Sequence, residues 1–173
     1  MKKELYTVSV YTENNIGLLN RISAIFLKRH INLLSMTASA SEIDEVYRFT
    51  IVVKITEEAV KKIVGQIEKQ IEVIRAFYHT NEETIFQETA LYKIATNLLF
   101  EERQIQNIIK ESSAEIVTVN PKWFVLSKTG KRDETERLYE RLKPFGLLQF
   151  VRSGRIAITK EAMNISEILH KIA

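Results

Sequence analysis

The chain has 173 residues, 45% apolar and 27% charged, which suits one folded domain or two small ones. Its formal net charge of +3 is too small to argue for nucleic acid or an anionic membrane, and without cysteine it has neither disulfides nor thiolate chemistry. The N-terminal MKKELYTVSV lacks the apolar core of a signal peptide, and no run approaches the roughly 18 apolar residues of a membrane span, so a cytoplasmic location is expected.

Residues 5–11 alternate, with Tyr6, Val8 and Val10 on one face and Thr7, Ser9 and Tyr11 on the other, which predicts a strand. Residues 13–17 then put short polar side chains and Gly17 where the chain enters a helix. The period changes at Leu18, and Leu18, Ile22, Ile25 and Phe26 follow helical spacing. Asn32 sits where this helix must turn back into a second strand, residues 31–40, and residues 41–45 read as a hairpin loop. Alternation returns over 46–55, with Tyr47, Phe49, Ile51, Val53 and Ile55 on the core face. Thr56 is a fitting N-cap for a helix whose apolar stripe is Val60, Ile63, Val64, Ile67 and Ile71, and residues 72–80 form a last strand. The order is βαββαβ, which predicts a four-stranded antiparallel sheet with both helices on one face. The other face has no cover from within this unit, and such a face usually finds a partner.

Residues 81–88 are polar and read as a linker, after which the pattern repeats. Strands are expected at 90–96, 115–120, 123–128, 147–152 and 155–159, and helices at 101–113, 131–143 and 165–172. Pro121 marks a turn, and Asn164 starts the last helix. The fold class is therefore α+β, with two tandem ferredoxin-like βαββαβ domains. The expected division is 1–80 for the first, 81–88 for the linker and 89–173 for the second.

The catalytic inventory is thin. His30 follows Arg29 at a helix end, where a cation suits the dipole; His79 lies on a strand; His170 is near the C-terminus. No HExxH, P-loop or GxGxxG occurs, and the paired acids at 57–58, 82–83 and 101–102 fall at helix starts or in the linker. Without convergent titratable groups, no catalytic residue, metal site or cofactor is expected on this chain. RNA-recognition modules share the βαββαβ order, but the third strand reads VYRFTIVV, with no glycine and an aliphatic run, so nucleic acid is not an expected partner.

What remains is small-molecule binding at the first turn. Asn14 and Asn15 can hydrogen-bond a carboxylate or an ammonium group, and Gly17 lets a ligand approach the backbone. The amides of residues 17–19 stand at a helix N-terminus, which favours an anion. Asn32 lies at the far end of the same helix, roughly 20 Å away. If Asn14 and Asn32 serve one ligand, one of them comes from a neighbouring copy, with the site across a dimer interface.

The spacing Asn14-x-x-Gly17-x-Leu19-x-Arg21, followed by Phe26, Arg29, Asn32-Leu33 and Ser35-Met36-Thr37, resembles the ACT domain. More narrowly, it resembles the regulatory (small) subunits of acetolactate synthase. Arg48-Phe49-Thr50-Ile51, residues 66–71, residues 88–94, Val119-Asn120-Pro121, Thr129-Gly130-Lys131 and Val151-Arg152-Ser153-Gly154 extend the match over nearly the whole chain. The resemblance implies an ACT domain at the N-terminus and no active site. It implies a catalytic large subunit as partner, carrying thiamine diphosphate, FAD and Mg²⁺, whose activity this chain raises. It further implies a homodimer or higher homo-oligomer, and feedback inhibition by valine or a related branched-chain amino acid bound between two N-terminal domains. The effector contacts would be Asn14, Ile16, Gly17, Leu18 and Asn32. A stand-alone ACT-type amino-acid sensor without a catalytic partner is the alternative. Ile16 stands where the family usually has a small residue or proline, and Leu18 where Val or Ala is common; both would narrow the pocket. His30 replaces the usual glycine, so the helix exit is expected to take another geometry.

Overall fold

The structure, a computed structural model, describes residues 2–170. Two compact units are present. One takes in the chain up to Phe86 together with the segment from Arg155 onward; the other is Gln87–Gly154.

In the first unit the elements run β1 (Glu4–Glu13), α1 (Leu18–Leu27), β2 (Leu33–Ala40), β3 (Val46–Ile55), α2 (Glu57–Ile67) and β4 (Val73–Thr80). The sheet is antiparallel in the order β2-β3-β1-β4. Register puts Val8 opposite Ile51 and Val10 opposite both Phe49 and Ala76, so the apolar positions of three strands share one face. Ile22 and Phe26 of α1 and Val60, Ile63 and Ile67 of α2 bury against that face. Each such side chain contributes about 1.5–3 kcal/mol on leaving water, which is what holds two short helices on the sheet. Thr56 caps α2, its hydroxyl accepting from the Ala59 N–H at 3.3 Å.

In the second unit β5 (Thr84–Ala95), whose first residues belong to the first unit, is followed by α3 (Asn97–Glu101), α4 (Arg103–Ser112), β6 (Glu115–Val119), β7 (Trp123–Gly130), α5 (Arg132–Leu142), a 3-10 turn (Lys143–Phe145) and β8 (Gln149–Arg152). Its strands are antiparallel in the order β6-β7-β5-β8. Tyr92, Ile94, Ile105, Phe124, Leu126, Leu138 and Leu142 form its core. Both units thus have the expected βαββαβ order, with α3 as an extra turn of helix in the second.

The remaining chain, β9 (Ile156–Thr159) and α6 (Ile165–His170), belongs to the first unit. There β9 pairs with β5, and the Lys160 N–H donates to the Glu83 carbonyl at 2.8 Å.

Several expectations need correction. Residues 155–159 do form a strand, but it packs with the first unit, so the C-terminal end of the expected second domain lies elsewhere. Residues 84–88 are not linker but the start of β5, whose alternating pattern buries Thr84 and Glu88. The helix expected at 101–113 is α4, and a separate α3 that was not expected precedes it, the two divided by Glu102, which is extended at φ −107°, ψ 97°. Ile71 lies beyond the end of α2 and is exposed. Residues 171–173, including the expected end of the last helix, lie outside the described residues.

The exit from α1 also differs from expectation. His30 takes the left-handed conformation that glycine favours, at φ 54°. Its N–H donates to the Leu27 carbonyl and the Ile31 N–H reaches back to the Phe26 carbonyl at 3.1 Å. These two bonds make a Schellman motif with histidine in the glycine position. Ile31 packs on the core beside Phe26, and that contact offsets the strain of a non-glycine residue there, about 1 kcal/mol.

Candidate functional site

The turn from β1 into α1 has the geometry that a backbone-lined site needs. Gly17 is the N-cap of α1 at φ 86°, and no side chain caps the helix. A Cβ at Gly17 would meet nothing within 4 Å, so the glycine answers a need of the backbone and not of space. Asn15 is held locally, its N–H donating to the Glu13 carbonyl and its side-chain amide to the Glu13 carboxylate at 3.2 Å. Asn14, Ile16 and Gly17 are exposed, Ile16 completely. Leu18 is different: its side chain is 2% exposed and anchors the helix in the core. Only the backbone of Leu18 is at the turn, and its N–H makes a long bond, 3.4 Å, to the Asn15 carbonyl.

Arg21, one turn into α1, forms an ion pair with Glu72, just ahead of β4. The Glu72 carboxyl is held below the usual range first by its own backbone N–H and then by Arg21. The Glu13 N–H donates to the Glu72 carbonyl at 2.9 Å, which fixes the turn from its other side.

Asn32 is exposed and does not approach this turn within the chain, because the ten residues of α1 separate them by about 15 Å of helix axis. Asn32 instead lines a shallow groove with Asn20, Ser23, Phe26, Leu27 and Ile31. The rim of α1 and the neighbouring edge strand β2 carry exposed Leu19, Leu27 and Leu34.

A second polar cluster, which the sequence pattern did not single out as a site, lies on the other face of the same sheet. Thr7, Ser9 and Tyr11 face away from the helices, yet all are buried. Their cover is the segment from Arg155. The Arg155 Nη1 donates to Thr7 Oγ1 at 2.9 Å and Asn81 Oδ1 at 2.8 Å, and its guanidinium lies 3.9 Å from the centre of the Phe86 ring. Its backbone is held too, since Thr37 Oγ1 donates to the Arg155 carbonyl and the Arg155 N–H reaches Ser35 Oγ. Arg48 makes the next contact, its Nη2 donating to Ser9 Oγ at 3.1 Å and to the Ala157 carbonyl at 2.5 Å. Burial pushes the Tyr11 hydroxyl above its ordinary pKa, against the opposing effect of the Arg48 charge. The polar side of the alternation in residues 5–11 was the available signal.

His30 is exposed at the α1 exit, and His79 lies on β4 stacked on Phe77. The side chain of His170 lies outside the described residues. Among the described residues no group of three His, Cys, Asp or Glu could hold a metal ion, and no helix is long and apolar enough to cross a membrane.

Two family models match the chain. One is described as an AHAS small subunit-like ACT domain and covers residues 8–75. The other is described as the small subunit of acetolactate synthase and covers residues 87–161. The acetolactate synthase small subunit of Bacillus subtilis is 34% identical over 159 residues, 91% of each chain. That of Mycobacterium bovis is 29% identical over 160 residues, 92% of this chain and 95% of the relative. The crystal structure of the acetolactate synthase small subunit from Thermotoga maritima matches with a TM-score of 0.83 at 22% identity, over 92% of this chain and 99% of that one, a likeness of fold.

Proposed function

The chain belongs to the family of acetolactate synthase small subunits, and from that premise we propose that it activates a catalytic large subunit and makes it sensitive to a branched-chain amino acid, valine above all. The chain itself is the non-catalytic regulatory partner, working in the cytoplasm. Thiamine diphosphate, FAD and Mg²⁺ would belong to the catalytic partner. The observation that carries the reading is the turn at Asn14–Gly17: an uncapped helix N-terminus, opened by a glycine in the left-handed conformation and flanked by exposed side chains.

In this reading the free amides of the first turn of α1 take the effector carboxylate. Ile16 and the Asn14 side chain line the entrance. Leu18 contributes only backbone, because its side chain is committed to the core. Asn32 comes from a second copy, since α1 holds it away from the turn of its own chain. An edge strand β2 beside exposed Leu19, Leu27 and Leu34 supports such pairing, because unpaired edges and clustered apolar side chains favour association. Valine bridging two copies would favour the paired state that meets the catalytic subunit differently. Coupling of about 1–3 kcal/mol suffices for a feedback response.

Pyruvate-to-acetolactate turnover of a catalytic subunit, measured with and without this chain, tests the activation. Titration calorimetry with valine on wild type and Gly17→Asp tests the site. A Cβ there meets nothing within 4 Å, the left-handed backbone at φ 86° adds strain of about 1 kcal/mol, and the carboxylate would repel the effector. Wild type is expected to bind and the variant to lose at least tenfold in affinity, roughly 1.4 kcal/mol. Equal binding would reject the site, and unchanged turnover would reject the regulatory partnership.

A further inference from the structure

The C-terminal segment and the face of the first sheet turned away from α1 and α2 line a half-open cavity of about 320 Å³. By the share of liquid volume that one water takes, about 30 Å³, it has room for a molecule of about ten heavy atoms. Tyr11 of β1 and Phe77 of β4 meet edge to face in its wall, with ring centres 6.3 Å apart. Ile158, Met163 and Ile165 of the C-terminal segment close the other side.

Arg48 is the cation of this cavity, and it is only partly used. Its two hydrogen bonds both fall on Nη2, and its Nε is buried without a hydrogen-bond partner. Its guanidinium lies 5.5 Å from the centre of the Tyr11 ring, beside the aromatic wall. Glu42 and Glu161 line the same cavity, but both are exposed and neither forms an ion pair with Arg48 among the described residues. Neither of the Arg48 hydrogen bonds falls on Nη1, which leaves a charged donor for a ligand, and a carboxylate is the group that answers it with charge and geometry together. Aromatic walls with one cation at the end describe a pocket for an amphipathic anion.

We propose that this cavity is a second small-molecule site, separate from the turn at Gly17, which takes an aromatic carboxylate of about ten heavy atoms. The carboxylate lies on Arg48, and the ring packs against Tyr11 and Phe77 under the lid formed by residues 157–165. Because that lid is the chain's own C-terminal segment, occupancy also holds the segment to the sheet. The inference does not rest on valine recognition.

The test uses the full chain with 3-phenylpropionate as probe and 3-phenylpropanamide as its uncharged counterpart, followed by calorimetry and by chemical-shift changes at Tyr11, Phe77 and Ile158. The acid is expected to bind saturably, and the amide about tenfold or more weaker, because it lacks the charge that Arg48 answers. Arg48→Gln should bring the acid down to the level of the amide. Since Arg48 also holds Ala157, a second variant, Ala162→Trp, fills the cavity from an exposed position with the arginine intact, and it too should abolish binding. Gly17→Asp should leave the probe's affinity unchanged, which separates this site from the effector turn. Absence of saturable binding by the acid, equal binding of acid and amide, or wild-type affinity in the folded Ala162→Trp protein would each overturn the proposal.

Discussion

Arg155→Ala is the substitution that most directly probes how the C-terminal segment is held to the first sheet. The side chain donates to Thr7 Oγ1 at 2.9 Å and Asn81 Oδ1 at 2.8 Å and stacks on Phe86. Hydrogen bonds from a charged donor are worth about 1.5–3 kcal/mol each, and a cation over an aromatic ring about 0.5–2 kcal/mol. These overlap, because one rigid group makes them all. The truncation also withdraws a donor from Thr7, which is 1% exposed. A loss of about 3 kcal/mol is therefore expected. It should be local, because the sixteen-residue core cluster on the opposite face does not include Arg155. Native-state hydrogen exchange followed by mass spectrometry reads it: amides of Ile156–Thr159 should exchange about a hundredfold faster, while those of β1 and β3 keep the protection of global unfolding. Arg155→Lys, which keeps the charge and loses the planar fork, should fall between. Unchanged exchange over Ile156–Thr159 in the folded Ala variant would refute the reasoning, as would a uniform acceleration over the whole first unit.

Three further outcomes follow from the cores. Tyr92 is fully buried and donates to the Thr135 carbonyl at 2.6 Å, so Tyr92→Phe should cost about 1 kcal/mol by urea denaturation. Burial pushes the Tyr92 pKa up to about 12 from 10.0, so the neutral phenol is favoured in the folded state. Below pH 10 both states keep the proton and the stability is whole; between pH 10 and about 12 the unfolded chain ionises first and stability falls. The fall should be up to about 3 kcal/mol and absent in Tyr92→Phe. Phe26→Ala removes a 1% exposed ring from the centre of the first core and should cost about 3–5 kcal/mol, seen as a lower melting temperature of the first unit.

The repeating βαββαβ order was legible because both its signals are local. Alternation in residues 5–11 and 46–55 and the helical spacing of Leu18, Ile22 and Phe26 or of Val60, Ile63 and Ile67 each specify an element and the face it buries. The turn at Gly17 was legible for the same reason, since a left-handed N-cap is written in one glycine. His30 shows the limit of that argument. A histidine in place of glycine reads as a different geometry, yet the packing of Ile31 on the core holds it at φ 54° all the same. Residues 84–88 misled for a related reason: their polar composition reads as linker, whereas the burial of Thr84 and Glu88 makes them strand.

By itself the sequence determined most of the helices and strands, which of their faces are apolar, and where the backbone turns to offer its amides; the start of β5 and the short α3 escaped it. Only the tertiary structure decided that the stretch after Gly154 returns to the first sheet. That choice rests on partners more than a hundred residues apart, Arg155 with Thr7 and Arg48 with the Ala157 carbonyl. No periodicity encodes such pairings, because a half-buried guanidinium finds its acceptors only once the chain has brought them to it.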